Sequence, residues 1–247
     1  MGEDKYSDSI YLPEYSELDL CIWNALNGKQ SKFADKYGLA CVFKEQYGRF
    51  AALSEYSRQA YNDLAQLVRP GRAVLVRGTG PNIEYPEWKQ ITKSPGYLMV
   101  LDTPIFEENL DFTKLTRKDI PEMEKLSKLT GLDFGAGKFE LGDFYGLWDN
   151  GVLIAMAGER LKPDGYIELA TVSTHPDYRR RGYGRGLSSL VSHRIQEKGY
   201  TPFLHVTDEN PAAIRLYEQM EYKKCLRGYY DVLERTSYMN SDKRSSF

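Results

Sequence analysis

The chain has no stretch of 18 apolar residues, so no helix is expected to cross a membrane. Met1 to Ser9 is polar and acidic, without the apolar run of a secretory signal. Gly2 follows Met1, but Tyr6 stands where a myristoylation motif needs Ser or Thr. Cysteine is scarce: Cys21, Cys41 and Cys225 lie far apart and form no CxxC pair. That excludes a zinc knuckle, a thioredoxin motif and a disulfide scaffold, and fits reduced thiols in a cytoplasmic protein. No His/Cys/Asp cluster asks for a metal. Neither charge sign dominates, with 33 basic against 35 acidic residues and a net charge of -2. A field that would attract nucleic acid or an anionic membrane is therefore absent. There is no internal repeat. Gly78-Thr79-Gly80 lacks the Lys-Ser/Thr pair of a phosphate loop and reads as a turn. What remains is ordinary for a globular protein: 247 residues, 41% hydrophobic and 28% charged, enough for one or two domains. The 19 tyrosines are first of all packing residues.

Apolar spacing organises the first hundred residues. Leu18, Ile22, Ala25 and Leu26 recur at helical spacing. Leu39 to Lys44 and Gly48 to Leu53 read as a hairpin. Ser54 is the expected N-cap of a helix whose face is Ala60, Tyr61, Leu64, Leu67 and Val68, stopped by Pro70-Gly71. Ala73 to Val76 and Tyr97 to Leu101 read as strands, with a long loop from Gly78 to Pro95 between them. From Asp111 a second segment starts. Phe112 to Leu115 is strand-like, and Asp119 with Glu122 forms an expected capping box ahead of Met123, Leu126 and Leu129. Gly131 to Gly142 is glycine-rich loop. Phe144 to Trp148, Val152 to Arg160 and Tyr166 to Thr174 are strands joined by turns at Asp149-Asn150-Gly151 and Pro163-Asp164-Gly165. A helix from Tyr183 to Lys198, a strand from Pro202 to Thr207, a helix from Pro211 to Met220 and a strand at Arg227 to Leu233 complete the order. Arg235 to Phe247 reads as a flexible tail.

The chemistry concentrates in Arg179-Arg180-Arg181-Gly182-Tyr183-Gly184, between a strand and a helix. Glycines at a helix entry let successive N–H groups converge on an anion, and the helix dipole favours phosphate there. Arginines add charge and forked donors. The pattern is a pyrophosphate cradle.

The whole order resembles the GCN5-related N-acetyltransferase family, whose acyl-CoA signature is Arg/Gln-x-x-Gly-x-Gly/Ala. Arg179, Gly182 and Gly184 match it, preceded by Thr174-His175-Pro176-Asp177-Tyr178. A second motif, Asn-x-x-Ala-x-x-Leu-Tyr, appears as Asn210 to Tyr217. Glu221 and Tyr222 depart from its usual Gly-Phe ending. Ala155 to Arg160, Thr174 to Pro176 and Thr201 to Val206 are similar to the FR47-like group, which is related to glycine N-acyltransferases. The resemblance covers Asp111 to Leu233 and extends weakly into the amino-terminal half through Trp23-Asn24-Ala25-Leu26.

The resemblance implies direct attack of an amine on an acyl-CoA thioester, with acetyl-CoA as co-substrate and no metal. It places pyrophosphate on the segment of Arg179, Arg180, Arg181, Gly182, Tyr183, Gly184 and Arg185. It lays the pantetheine arm along Val172, Ser173 and Thr174, and brings Asn210, Ala213 and Tyr217 close to the cofactor. Tyr217 is then the candidate proton donor to the leaving thiolate. Glu168, 14 residues before Gly182, is the candidate general base. Glu159 and His205 are alternatives, and relatives also use a water chain. Asn210 has an N-cap role besides, His175 fixes the turn, and His193 reads as surface.

The expected fold is α/β of the α+β type: a mixed, mostly antiparallel, splayed sheet flanked by helices, with an amino-terminal α/β lobe over 1–105. That lobe reads as a degenerate half of the same fold without a CoA motif, and is expected to wall the acceptor pocket. The catalytic domain is expected over 106–235 and a tail over 236–247. Expected partners are a small-molecule or peptide amine acceptor, without nucleic acid or membrane, in a monomer or homodimer. The competing reading is a non-catalytic acyl-CoA binder or sensor, which would bind CoA without turnover.

Overall fold

A computed structural model describes residues 10–78, 84–105 and 111–237. The turn residues Thr79 and Gly80 and the tail from residue 238 lie outside the described residues. The strands are β1 (Ala34–Tyr37), β2 (Ala40–Phe43), β3 (Phe50–Leu53), β4 (Ala73–Gly78), β5 (Trp88–Val100), β6 (Thr113–Lys114), β7 (Phe144–Asp149), β8 (Val152–Glu159), β9 (Tyr166–Thr174), β10 (Thr201–Thr207) and β11 (Lys223–Arg235). They form one mixed sheet in the order β1-β2-β3-β4-β11-β5-β10-β9-β8-β7-β6. The helices are α1 (Cys21–Asn27), α2 (Arg58–Leu67), α3 (Ile120–Thr130), α4 (Tyr183–Glu197) and α5 (Pro211–Gln219). The expected mixed α+β architecture is therefore present.

Period-2 alternation sorts side chains between the faces of this sheet. Ile167 and Leu169 of β9 and Leu204 and Val206 of β10 pack with Leu187, Val191 and Ile195 of α4. On the opposite face, Phe203 joins Leu98, Val100 and the α1 residues Cys21, Ile22, Ala25 and Leu26. Over the hairpin, Cys41 and Phe43 belong to the α1 side, while Ala40 and Val42 pack with Ala60, Tyr61 and Leu64 of α2. Asn150 and Gly151 both have positive φ (47° and 79°), the geometry of a type I′ hairpin turn between β7 and β8.

Four sequence expectations shift. The N-cap of α2 is Ser57, whose side chain accepts from Ala60 N–H, rather than Ser54. The capping box is Thr116 with Asp119, one turn earlier than expected, because a 3-10 turn precedes α3. The expected loop to Pro95 contains the first half of β5, which pairs with β11 from Trp88 onward. Polar spacing hides that strand, since its residues Lys89 to Ser94 are mostly half-buried or exposed. Arg235 ends β11, and the Thr236 N–H donates to the Glu87 carbonyl, so the start of the expected tail is tied to the fold.

Candidate active site

Strands β9 and β10 run parallel and pair only from Thr201↔Tyr166 to Phe203↔Glu168. Beyond that they part, because β10 follows β5 through Thr207↔Gly96 while β9 stays with β8 to Thr174↔Ala155. Between Ala170 and Ser173 the β8–β9 register shifts. Thr171 sits at this bulge with φ 57°. A left-handed β-branched residue costs energy, and such positions concentrate at functional sites.

The parted strands open on a cleft of about 680 Å³. Val172, Ser173 and Thr174 line one side, the loop from Tyr178 to Arg185 closes one end, and Asn210, Ala213, Leu216 and Tyr217 form the other wall. Arg180 and Gly182 have positive φ (62° and 84°) and fold the loop back onto the start of α4. The bond from Gly186 N–H to the Gly182 carbonyl opens that helix. The N–H groups of Tyr183 and Gly184 therefore lack an i−4 helical acceptor and point along the dipole toward the cleft. A Cβ at Gly182 would meet nothing within 4 Å, whereas one at Gly184 would approach Thr174 and Val172. Such an entry accepts a phosphate, so the residues present fit the pyrophosphate of a CoA thioester.

Arg181 alone of the expected cofactor residues does not line this cleft. Its Nη2 donates to the Asp177 carbonyl, and its guanidinium lies over the Tyr178 ring, 4.9 Å from the centroid. The Tyr178 hydroxyl donates to Asp149, and the Arg179 Nε donates to the Thr174 carbonyl. The base of the loop is thus tied to the β7–β8 turn and to the end of β9. The His175 Nδ1 accepts from Asp177 N–H, a turn-fixing contact. The Asn210 side chain accepts from Ala213 N–H, with Pro211 following.

The three candidate catalytic residues divide between the faces. Tyr217 is buried on the α4 side and reaches the cleft. Burial pushes its phenol up to about 12, so it stays protonated at neutral pH. Glu168 and His205 lie together on the α1 side. The His205 Nδ1–H donates to Glu168 Oε1 at 2.6 Å. Because a carboxylate only accepts, this contact sets the tautomer and leaves Nε2 as the ring's acceptor, 3.7 Å from Cys21 Sγ.

The Glu168 carboxylate is fully buried and is gripped by Arg160 through Nε at 2.8 Å and through Nη2. It also accepts from Leu161 N–H. Burial alone would raise its carboxyl, but the charges and hydrogen bonds of Arg160 and His205 outweigh that and hold it down at about 2. Burial lowers the His205 pKa, against the pull of Glu168, and the Arg160 and Arg77 charges lower it further. Glu159 is buried away from the cleft in ion pairs with Lys162 and Lys198. His193 is half-buried rather than surface, its Nδ1 at 3.0 Å from the Ile105 carbonyl.

Several partners escaped the sequence reading. Arg160 faces Glu168 because the Pro163-Asp164-Gly165 turn folds β8 back beside β9, a cross-strand signal that was available. Thr130 and Leu132 line the cleft, and the Thr130 and Ser173 hydroxyls meet at 2.8 Å. Nothing local in the sequence points to that contact. The three cysteines are buried and unbridged. Among the described residues no group of three or more His, Cys, Asp or Glu could hold a metal, and no helix is long and apolar enough to cross a membrane.

Known proteins share this fold. The FR47-like protein family matches residues 144–230, which contain the loop and both flanking walls. A GNAT-family protein of Novosphingobium aromaticivorans superposes with a TM-score of 0.83 at 30% identity, over 90% of this chain and 99% of that one. The chain belongs to the GNAT family. A GNAT protein of Kribbella flavida shares the fold over 91% of this chain with a TM-score of 0.59 at 16% identity. The [ribosomal protein bS18]-alanine N-acetyltransferase of Escherichia coli is 33% identical over 91 residues, which are 36% of this chain. This chain spans 61% of the length of that curated relative. The αL loop, the unpaired helix start and the parted strand β9 all border the same cleft.

Proposed function

We propose that the protein transfers an acyl group, acetyl in the first instance, from CoA to the amine of a small molecule or peptide. The observation that carries this reading is the cleft between β9 and α5, closed at one end by the loop before α4. Bound acyl-CoA would supply an activated thioester carbonyl. The loop amides and Arg180 would hold its phosphates, and the Val172–Thr174 edge would pair with the pantetheine amides as an added strand. A backbone N–H at the Thr171 bulge would polarise the thioester carbonyl.

Proton handling would be split between the faces. Tyr217, kept protonated by burial, would donate to the departing thiolate. Glu168, with its carboxyl held near 2, is a poor direct proton acceptor at neutral pH. It would instead orient His205, whose neutral ring would take the proton from the acceptor's ammonium. The amine would approach from the α1 side, where the amino-terminal segment packs.

Calorimetric titration with CoA, followed by thiol release from acetyl-CoA across an amine panel, tests the reading. Micromolar CoA binding with acceptor-dependent thiol release is expected; tight binding with no release from any amine would leave a CoA sensor instead. Tyr217→Phe should lower kcat by about 10²-fold or more, with the CoA dissociation constant within about threefold, since the loop and not the phenol holds the phosphates.

A further inference from the structure

Two serines of α4 face two tyrosines, and only one of the two pairs is closed. Ser188 and Ser192 stand one turn apart on that helix and so share a face. Both are fully buried. The Ser192 hydroxyl donates to the Ser188 carbonyl at 2.6 Å and lies 2.7 Å from the Tyr222 hydroxyl. A hydroxyl has a single proton, so Tyr222 is the donor in the second contact. Both protons of this pair are therefore spent.

The Ser188 hydroxyl has no hydrogen-bond partner among the described residues. It does not bond back to the carbonyl four residues earlier, as Ser192 does. A buried hydroxyl is costly to leave open, and each such group in a folded chain asks for a reason. Tyr217 supplies one. The Tyr217 and Tyr222 rings meet at a tilt with centroids 5.6 Å apart, and Tyr217 packs in one cluster with Leu187 and Val191 of α4. One turn before Ser188 stands Gly184, which lines the cleft together with Tyr217. Ser188 thus lies on α4 between the cleft and the closed Ser192–Tyr222 pair. It also acts on the Tyr217 phenol as a hydrogen-bonding neighbour, lowering its pKa against the larger rise from burial. The two hydroxyls are neighbours, yet no aligned bond joins them. Catalytic hydrogen bonds are often loose until the reacting groups are in place.

We infer that Ser188 is a positioning residue for proton delivery by Tyr217: its hydroxyl donates to the phenol oxygen and turns the phenol O–H into the cleft. This inference rests on the acyl-transfer reading and deepens it. As the thioester C–S bond breaks, its electron pair goes to sulfur, which takes the Tyr217 proton and becomes the CoA thiol. The Ser188 O–H then stabilises the phenolate left behind in its buried setting. A proton from solvent restores the phenol.

The test is Ser188→Ala in the full chain, with thiol release from acetyl-CoA and the best amine of the panel. Alanine removes the open hydroxyl and suits a helix interior, so the urea midpoint should stay equal or rise. The value of kcat should nevertheless fall by about tenfold or more, with the CoA dissociation constant within about threefold. In a Tyr217→Phe background the same substitution should change kcat by less than about twofold, because Ser188 acts only through the phenol. An unchanged kcat in Ser188→Ala, or an equal loss with and without the phenol, would overturn the inference and leave acyl transfer intact. If no amine is acylated, the acyl-transfer reading fails by itself. Carbon-13 resonances of the tyrosine Cζ atoms in the CoA-loaded protein then decide, with the Tyr217 signal identified by its loss in Tyr217→Phe. A shift of that signal in Ser188→Ala, with the Tyr222 signal in place, upholds the hydrogen bond; an unmoved Tyr217 signal overturns it.

Discussion

Glu221 holds a left-handed conformation (φ 66°) directly after α5. Glycine is favoured there because a Cβ meets the following carbonyl, which is the physical reason for the glycine usual at this point of the motif. The Glu221 carboxylate accepts from the Thr103 hydroxyl at 3.3 Å, an exposed contact that offsets little. Glu221→Gly is expected to stabilise the protein by roughly 0.5–1 kcal/mol in urea denaturation, without change in CoA affinity.

Glu168 shows the opposite balance. Its carboxyl is held at about 2 in the folded chain, against about 4.3 unfolded. A depressed folded pKa contributes stability that is present above pH ~4.3 and lost as pH falls toward 2. Glu168→Gln leaves Arg160 facing a neutral amide in a buried setting, at a cost of about 3 kcal/mol at pH 7. Denaturation at pH 7 and pH 3 should show that deficit narrowing at the lower value. An unchanged deficit would mean that the ion pair contributes nothing.

At the scale of elements, the critical one is β5. It lies between β10 and β11, and Gly96 sits where it meets the end of β10, opposite Thr207. A Cβ at 96 would stand 2.4 Å from the Val206 carbonyl and 2.7 Å from the Tyr230 ring. Backbone on one side and a buried ring on the other leave it nowhere to go. Gly96→Ala is therefore expected to destabilise the fold by roughly 2–3 kcal/mol, read as a lower urea midpoint. The effect should reach the cleft, because the course of β10 decides how far it parts from β9.

At the scale of the whole molecule, the sheet runs unbroken from the amino-terminal hairpin to β6. The cleft residues all come from Thr130 onward, yet β10 and β11 depend on β5 for their pairing. A fragment of residues 106–235 would leave one edge of β10 and both edges of β11 unpaired, since β4 and β5 are lost. Circular dichroism and gel filtration should find it unfolded or aggregated, and extending it back to residue 84 should recover secondary structure. A well-folded 106–235 fragment would show that β5 is dispensable.

The Arg179–Arg185 loop, α4, α5 and the β7–β8–β9 meander were legible in the residues alone. Their determinants are local: the Asn150-Gly151 turn, the αL glycine at 182, the Asn210-Pro211 cap and apolar spacing along each helix. The first half of β5 was not legible. Its polar residues become a strand only because β11 supplies hydrogen bonds from far along the chain. The Cys21 neighbour of His205 was hidden for the same reason. Cys21 lies 184 positions from His205, and such a distance leaves no periodicity to read. Sequence by itself therefore determined the loop that enters α4, since a helix entry is built from consecutive residues. Only the tertiary structure decided that Glu168 meets His205 in a fully buried setting, because burial and charge neighbours are set by strands that meet across the sheet.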